Sequence, residues 1–218
     1  TITSANTLIV DGTLTATVAT SATGGRGGAI TFAIVGGSGS ATVEANSGLI
    51  TGLSIGTITL TATSAGDTDY DAASTSQLIT ISKTTPTLTI TSANTLIVDG
   101  TLTATVTTSA TGGRGGAITF AIVGGSGSAT VEANSGLITA IEAGTVTLTA
   151  TSAGDTDYDV ASTSQLIMIS KTTPTLTITS ANTLIVDGTL TATVTTSATG
   201  GRGGAITFAI VGGSGSAT

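Results

Sequence analysis

The sequence predicts an all-β chain of tandem antiparallel β-sandwiches, each about 88 residues long. Three observations carry that expectation. The run TITSANTLIVDG begins at Thr1, again at Thr89 and again at Thr177, which sets a period of 88 residues. Within each period apolar and polar residues alternate one by one, a period of two, and nowhere do they follow the 3.6-residue period of a helix. Turn residues interrupt the alternation every ~8–12 residues, the spacing of short strands in a two-sheet sandwich.

The middle repeat shows the elements in order. Leu88 and Ile90 alternate with Thr87, Thr89 and Thr91 in a first strand. A short strand near Leu96–Val98 ends at Asp99-Gly100, a hairpin signal because both residues tolerate positive φ. Leu102, Ala104 and Val106 then alternate with Thr101, Thr103, Thr105 and Thr107. After the glycine loop 112–116, Ile118, Phe120 and Ile122 face inward between Ala117, Thr119 and Ala121. Ala129 and Val131 open a further strand, and Asn134-Ser135-Gly136 turns it back into Leu137–Ile141. Val146, Leu148 and Ala150 alternate with four threonines, and a last strand over about 165–170 points Ile167 and Ile169 inward. Threonine is β-branched and favours extended backbone, and its hydroxyl can face water, so it coats the outer faces without charge.

Differences between copies follow the same facing. Thr80 is replaced by Met168, and Ala19 by Thr107, at outward positions, whereas Ile58 becomes Val146 at an inward one, where only a small volume change is cheap. The remaining exchanges are Gly52/Ala140, Leu53/Ile141, Ser54/Glu142, Ile55/Ala143 and Ala72/Val160. An 88-residue period is too long for a solenoid rung and suits a small domain. Lys83-Thr84-Thr85-Pro86 and its copy Lys171-Thr172-Thr173-Pro174 hold both prolines and mark the joints. The expected division is therefore 1–82, a repeat lacking its first strand, 83–170, a complete repeat, and 171–218, the first half of a third. The chain is expected to be a window on a longer array.

Composition narrows the function. Cys and His are both absent, which removes thiol nucleophiles, imidazole bases, disulfides and most transition-metal sites. Five Lys and Arg against twelve Asp and Glu, a net charge of −7, leave no positive face for nucleic acid. No apolar run reaches the roughly 18 residues of a spanning helix, so no membrane insertion is expected in this segment. A hydrophobic fraction of 39% is too high for a disordered chain. An enzyme is not expected.

Three segments of each full repeat resemble the bacterial immunoglobulin-like repeats of intimin- and invasin-type surface proteins. Residues 41–52, ATVEANSGLITG, are similar to that family's strand–turn–strand "A-x-V-x-x-x-x-G-x-[IV]-T-G". Residues 56–63, GTITLTAT, are similar to its "G-T-x-x-[IL]-T-A-T" strand, and residues 65–73, AGDTDYDAA, to its "A-G-D-x-x-Y-x-A" segment. The glycine loop around Arg26 is not a feature associated with the family. The resemblance implies immunoglobulin-like sandwiches, an extracellular or bacterial cell-surface location, and a role as a structural stalk or filament body. The alternative it leaves open is an adhesive module that recognises a glycan or a host protein through loops at one end of the sandwich. Partners expected are neighbouring repeats of the same chain and identical chains in a filament.

Two residue sets are candidates for chemistry. Asp67, Asp69 and Asp71, copied as Asp155, Asp157 and Asp159, space oxygen ligands two apart, as a loop binding Ca²⁺ can, with Glu44 or Asp11 as further ligands. The plainer reading is a solvated acidic loop in which Asp67 makes an Asx-type turn and Tyr70 packs its ring. No cofactor other than such a calcium ion is expected. Arg26, Arg114 and Arg202, each in a Gly-Gly-Arg-Gly-Gly loop, are candidates for binding a partner, including an acidic group on a neighbouring repeat. No Gly-Lys-Ser/Thr follows them, so they are not phosphate loops. A Thr–Gln ester through Gln77 or Gln165 lacks a supporting His, and Thr-x-Thr rows are read as ordinary outward strand residues rather than as ice-binding arrays.

Overall fold

The structure is a computed structural model that describes residues 1–213 and 215; the end of the expected third repeat, at 214 and 216–218, lies outside the described residues. It is all-β. Thr1–Ser170 form one compact unit and Lys171–Thr218 a second.

In the first unit, residues 1–82 contribute β1 (Thr7–Ile9), β2 (Thr13–Thr15), β3 (Ile30–Gly37), β4 (Ser40–Val43), β5 (Leu49–Ser54), β6 (Gly56–Ser64) and β7 (Ala73–Ser82). Residues 83–170 contribute β8 (Leu88–Ile90), β9 (Thr95–Ile97), β10 (Thr101–Thr103), β11 (Val106–Thr108), β12 (Ile118–Gly125), β13 (Ser128–Val131), β14 (Leu137–Glu142), β15 (Gly144–Ser152) and β16 (Ala161–Ser170). No sheet mixes strands of the two sets. One sheet of the second set runs β12-β15-β16-β9; facing it is β10-β14-β13, which the β8–β11 pair extends. Thr91 N–H to the Thr105 carbonyl and Ala104 N–H to the Gly136 carbonyl carry the ladder across the break between β10 and β11. With β10 and β11 counted as one interrupted strand, β8, β10–β11, β14 and β13 thus share one sheet, and β12, β15 and β16 form the other with the short β9 at its edge. That is the strand order of an immunoglobulin-like sandwich, and the chain is a tandem of such sandwiches.

The core follows the alternation. Val146, Leu148, Ala150, Ile167 and Ile169 are buried, as are their counterparts Ile58, Leu60, Ala62, Ile79 and Ile81, while Met168 is 55% exposed. Each sandwich buries branched aliphatic side chains at every second position, each worth about 1.5–3 kcal/mol on removal from water.

Two local expectations need correcting. The Asp-Gly turn is not a hairpin. β1 pairs in parallel with β7, and β2 pairs with β5 in the other sheet, so Asp11-Gly12 carries the chain between sheets. Asp11 N–H bonds the Gly52 carbonyl at 2.9 Å and Val10 N–H the Ser82 carbonyl at 3.0 Å, while Gly12 N–H closes the turn on the Ile9 carbonyl at 3.0 Å. Only the aspartate has positive φ there, at 60° in Asp11, 63° in Asp99 and 60° in Asp187. The strand expected over 101–107 is also broken, into β10 and β11, because Ala104 and Thr105 bond different neighbours.

In the second unit β17 (Leu176–Ile178) pairs with β18 (Val194–Thr196), register Thr177↔Thr195. Residues 176–213 repeat 88–125, yet Leu176 is 55% exposed where Leu88 is 6% exposed. β15 and β16, which lie against β8 in the middle repeat, have no counterpart within these 218 residues.

Candidate functional site: the joint between repeats

The expected site residues lie at the ends of the sandwiches. Arg26 sits between β2 and β3, and Asp67–Tyr70 between β6 and β7; Arg114 and Asp155–Tyr158 occupy the same places in the second repeat. Each glycine loop is bound to its acidic loop in the same way. Gly115 N–H donates to Asp155 Oδ2 at 2.6 Å, and Asp157 and Tyr158 N–H donate to its Oδ1 at 2.8 and 2.9 Å. Asp67 accepts from Gly27 N–H at 2.6 Å and from Asp69 and Tyr70 N–H at 2.9 Å each. Ser152 Oγ donates to the Gly115 carbonyl, and Ser64 Oγ to that of Gly27. The first aspartate of each triple therefore closes an Asx-type turn and pins the glycine loop. Among the described residues no three carboxylates gather as they would around an ion; Asp71 and Asp159 are exposed, and Glu44 accepts from Ser47 within the β4–β5 turn at 2.6 Å.

These bonds hold both carboxyls below their ordinary value. For Asp67 the Gly27 N–H contributes most, and for Asp155 the Gly115 N–H, with the following amides adding to it against the opposing effect of burial. An unfolded aspartate keeps a pKa of about 3.9. The stabilisation is therefore complete above that value and is lost as pH falls through the lowered folded values. The urea midpoint should hold from pH 7 to about pH 5 and then drop. In Asp155→Asn the acid limb should be shallower; a parallel drop in both proteins would remove these bonds from the account.

Around Arg114 the two repeats meet. Its Nη2 donates to Asp11 Oδ1 at 3.2 Å and to Thr111 Oγ1 at 2.9 Å; its Nη1 donates to Asp157 Oδ2 at 3.3 Å and to the Leu53 carbonyl. Thr111 Oγ1 donates in turn to the Asp11 carboxylate at 3.1 Å. Ile55 N–H donates to Asp157 Oδ1 at 2.9 Å. The Tyr158 hydroxyl donates to Asp11 Oδ2 and accepts from Thr111 N–H at 3.1 Å, and the guanidinium carbon lies 5.4 Å from the Tyr158 ring centroid. Tyr158 is 1% exposed and belongs to the core of the first repeat. Burial works against the Arg114 charge, but the Tyr158 oxygen, Asp157 and Asp11 outweigh it and raise its pKa.

The linker joins in. Lys83 Nζ donates to the Asp155 carbonyl at 2.6 Å, Thr84 N–H to the Asp157 carbonyl at 3.3 Å, and Asp159 N–H to the Thr84 carbonyl at 2.9 Å. One end of the first sandwich, with the turns at Asp11 and at Leu53–Ile55, is thus clamped to the other end of the second. In the first repeat the Arg26 guanidinium pairs with Asp69 of its own repeat, at 3.1 Å, with both side chains more than half exposed. Arg202 lies exposed in the second unit. Thr111, Tyr158 and the Leu53 and Ile55 backbone belong to this joint although no motif in the sequence marks them as a contact between repeats.

No family model matches the chain, and no curated protein matches it either. Among solved structures, a SusE-like surface-located polysaccharide-binding protein from the Bacteroides thetaiotaomicron heparin utilisation locus is similar over 78% of this chain at 13% identity and a TM-score of 0.32. The C-terminal fragment of intimin, solved with the intimin-binding domain of its translocated receptor, is similar over 82% at 17% identity and a TM-score of 0.31. The fibronectin(III)-like modules of Clostridium thermocellum CbhA are similar over 78% at 15% identity and a TM-score of 0.31. The chain spans 33% of the first of these, 65% of the second and 95% of the third.

Proposed function

We propose that the chain is a non-catalytic structural segment of a repeat array, a spacer or stalk on a bacterial surface or secreted from it. The observation that carries this reading is the seating of Tyr158 in the core of the preceding repeat. A flexible linker would let two sandwiches turn freely. A buried ring, with an arginine spanning two carboxylates from different repeats, instead fixes their angle. Each of the first two repeats supplies both halves of such a joint, an aspartate turn at one end and the Thr-Arg-Asp-Tyr cluster at the other. A contact between unlike ends can be repeated along a chain, as a filament requires, where its rotation does not close into a ring. The motifs at 41–52, 56–63 and 65–73 support the surface location through their resemblance to surface repeats.

Spin relaxation of backbone amides tests it. Residues 1–82 and 83–170 should tumble as one body, and Tyr158→Ala combined with Arg114→Ala should give them separate correlation times. Independent tumbling in the unaltered chain would refute a stiff spacer.

A further inference from the structure

The first two repeats carry the same cluster, and only one of the two clusters is filled. In the second repeat Thr111, Arg114, Asp157 and Tyr158 hold the Asp11 carboxylate, the Leu53 carbonyl and the Ile55 N–H of the repeat before it. In the first repeat the corresponding residues are Thr23, Arg26, Asp69 and Tyr70. They sit on the same scaffold, since Asp67 pins the Gly27 loop and the Asp69–Tyr70 turn as Asp155 does in its copy. Arg26 already lies against Asp69, the counterpart of the Arg114–Asp157 pair. What differs is exposure. The Arg26 side chain is 55% exposed against 29% for Arg114, and Tyr70 is half-buried where Tyr158 is 1% exposed.

We infer that the Thr23–Arg26–Asp69–Tyr70 end of the first repeat is a preformed socket for the turn end of another repeat of this kind. Its occupant presents one aspartate carboxylate at positive φ, one turn carbonyl and one N–H. The carboxylate bridges the arginine and the tyrosine hydroxyl, the carbonyl takes the second arginine nitrogen, and the N–H caps Asp69. Three features select this occupant over a free anion. Asp69 would repel a bare anion, whereas it accepts the N–H of a turn. The tyrosine ring needs apolar cover, which the end of a sandwich core supplies. The chain direction at Thr1 is also compatible, because Leu88-Thr89 continues the period as Leu88 joined to Thr1 would.

The inference rests on the array reading above, and one chemical-labelling experiment tests the two separately. A second copy of residues 1–88 is joined ahead of Thr1 of the full chain, with its own tyrosine changed to Phe. Tyrosine nitration by tetranitromethane is then followed at Tyr70 and Tyr158 by peptide mass mapping. In the 218-residue chain Tyr158 should be protected and Tyr70 should react. In the extended chain Tyr70 should react at least tenfold more slowly, and Asp11→Asn in the added copy, or Arg26→Ala, should restore its rate. Unchanged Tyr70 reactivity in an extended chain whose added repeat shows the strand amide signals of a folded sandwich would overturn the socket. Ready nitration of Tyr158 in the 218-residue chain would instead overturn the joint and the array reading with it.

Discussion

Tyr158→Ala should lower the stability of the 1–170 unit by about 4 kcal/mol, the range for removing a fully buried aromatic ring. Tyr70→Ala, the same substitution at the same place in the preceding repeat, should cost less, about 1–2 kcal/mol, because that residue is only partly buried. The pair is informative because local sequence is matched: residues 65–71 and 153–159 are identical, AGDTDYD. Any difference must come from what lies against the ring. Tyr158 lies against the Asp11 turn and the first repeat's core, and it is 1% exposed. Tyr158→Phe separates packing from hydrogen bonding. It keeps the ring but leaves Thr111 N–H without its acceptor and takes one donor from Asp11, a loss of about 1.5 kcal/mol. With a urea slope of about 2 kcal/mol/M, Tyr158→Ala should stand apart by midpoint alone, about 2 M below the parent against about 0.5–1 M for Tyr70→Ala and about 0.8 M for Tyr158→Phe. Equal costs for Tyr158→Ala and Tyr70→Ala would mean that the joint contributes nothing to stability.

The Arg114 bridge should add less than the ring. Arg114 and Asp11 are each 29% exposed, and Asp157 is 14% exposed, so water screens the charges in part. Partly exposed ion pairs contribute about 0.2–1 kcal/mol. The value of the bridge is directional. A planar guanidinium that reaches two carboxylates and a carbonyl accepts one relative placement of the two repeats and disfavours others.

The alternation of Leu148, Ile167 and Ile169 with threonine and serine was enough to assign strands, facing and the two-sheet core. Period-two patterning records burial directly, residue by residue. The Asp-Gly turn shows where local reading fails. Its residues permit a hairpin, but the flanking strands find better partners in β7 and β5, a tertiary choice that turn chemistry does not encode. The joint was illegible for a different reason. Arg114 and Asp11 are 103 residues apart in sequence, and Arg26 has the same neighbours in sequence as Arg114. Repetition makes every copy look alike, so nothing local distinguishes a tyrosine that will be buried by the preceding repeat from one that will not. The Gly-Gly-Arg-Gly-Gly loop suggests a loose connection by composition alone. Its attachment depends on Asp155, forty residues on, which no short-range pattern reveals.

That attachment gives the second large effect. Gly116→Ala should destabilise the 1–170 unit by at least about 3 kcal/mol, whereas Gly113→Ala, three residues earlier in the same loop, should cost about 1 kcal/mol. Both glycines have positive φ, 79° and 74°, so a side chain meets similar backbone strain at either position. The surroundings differ. A Cβ on Gly113 would meet nothing within 4 Å, but one on Gly116 would lie 2.2 Å from the Gly154 carbonyl oxygen and 3.0 Å from its carbon. Those are main-chain atoms, so relief requires one loop to move away from the other. Gly115 N–H and the Asp155 carboxylate would separate with them, and so would the Arg114 and Tyr158 side chains that the two loops hold in place. The substitution should therefore uncouple the repeats as well as destabilise them. Amides near Asp11 and Ile55, in the other repeat, should shift in Gly116→Ala and stay in place in Gly113→Ala. Shifts confined to residues 105–120 and 150–160 would show that the loops can part without releasing the joint.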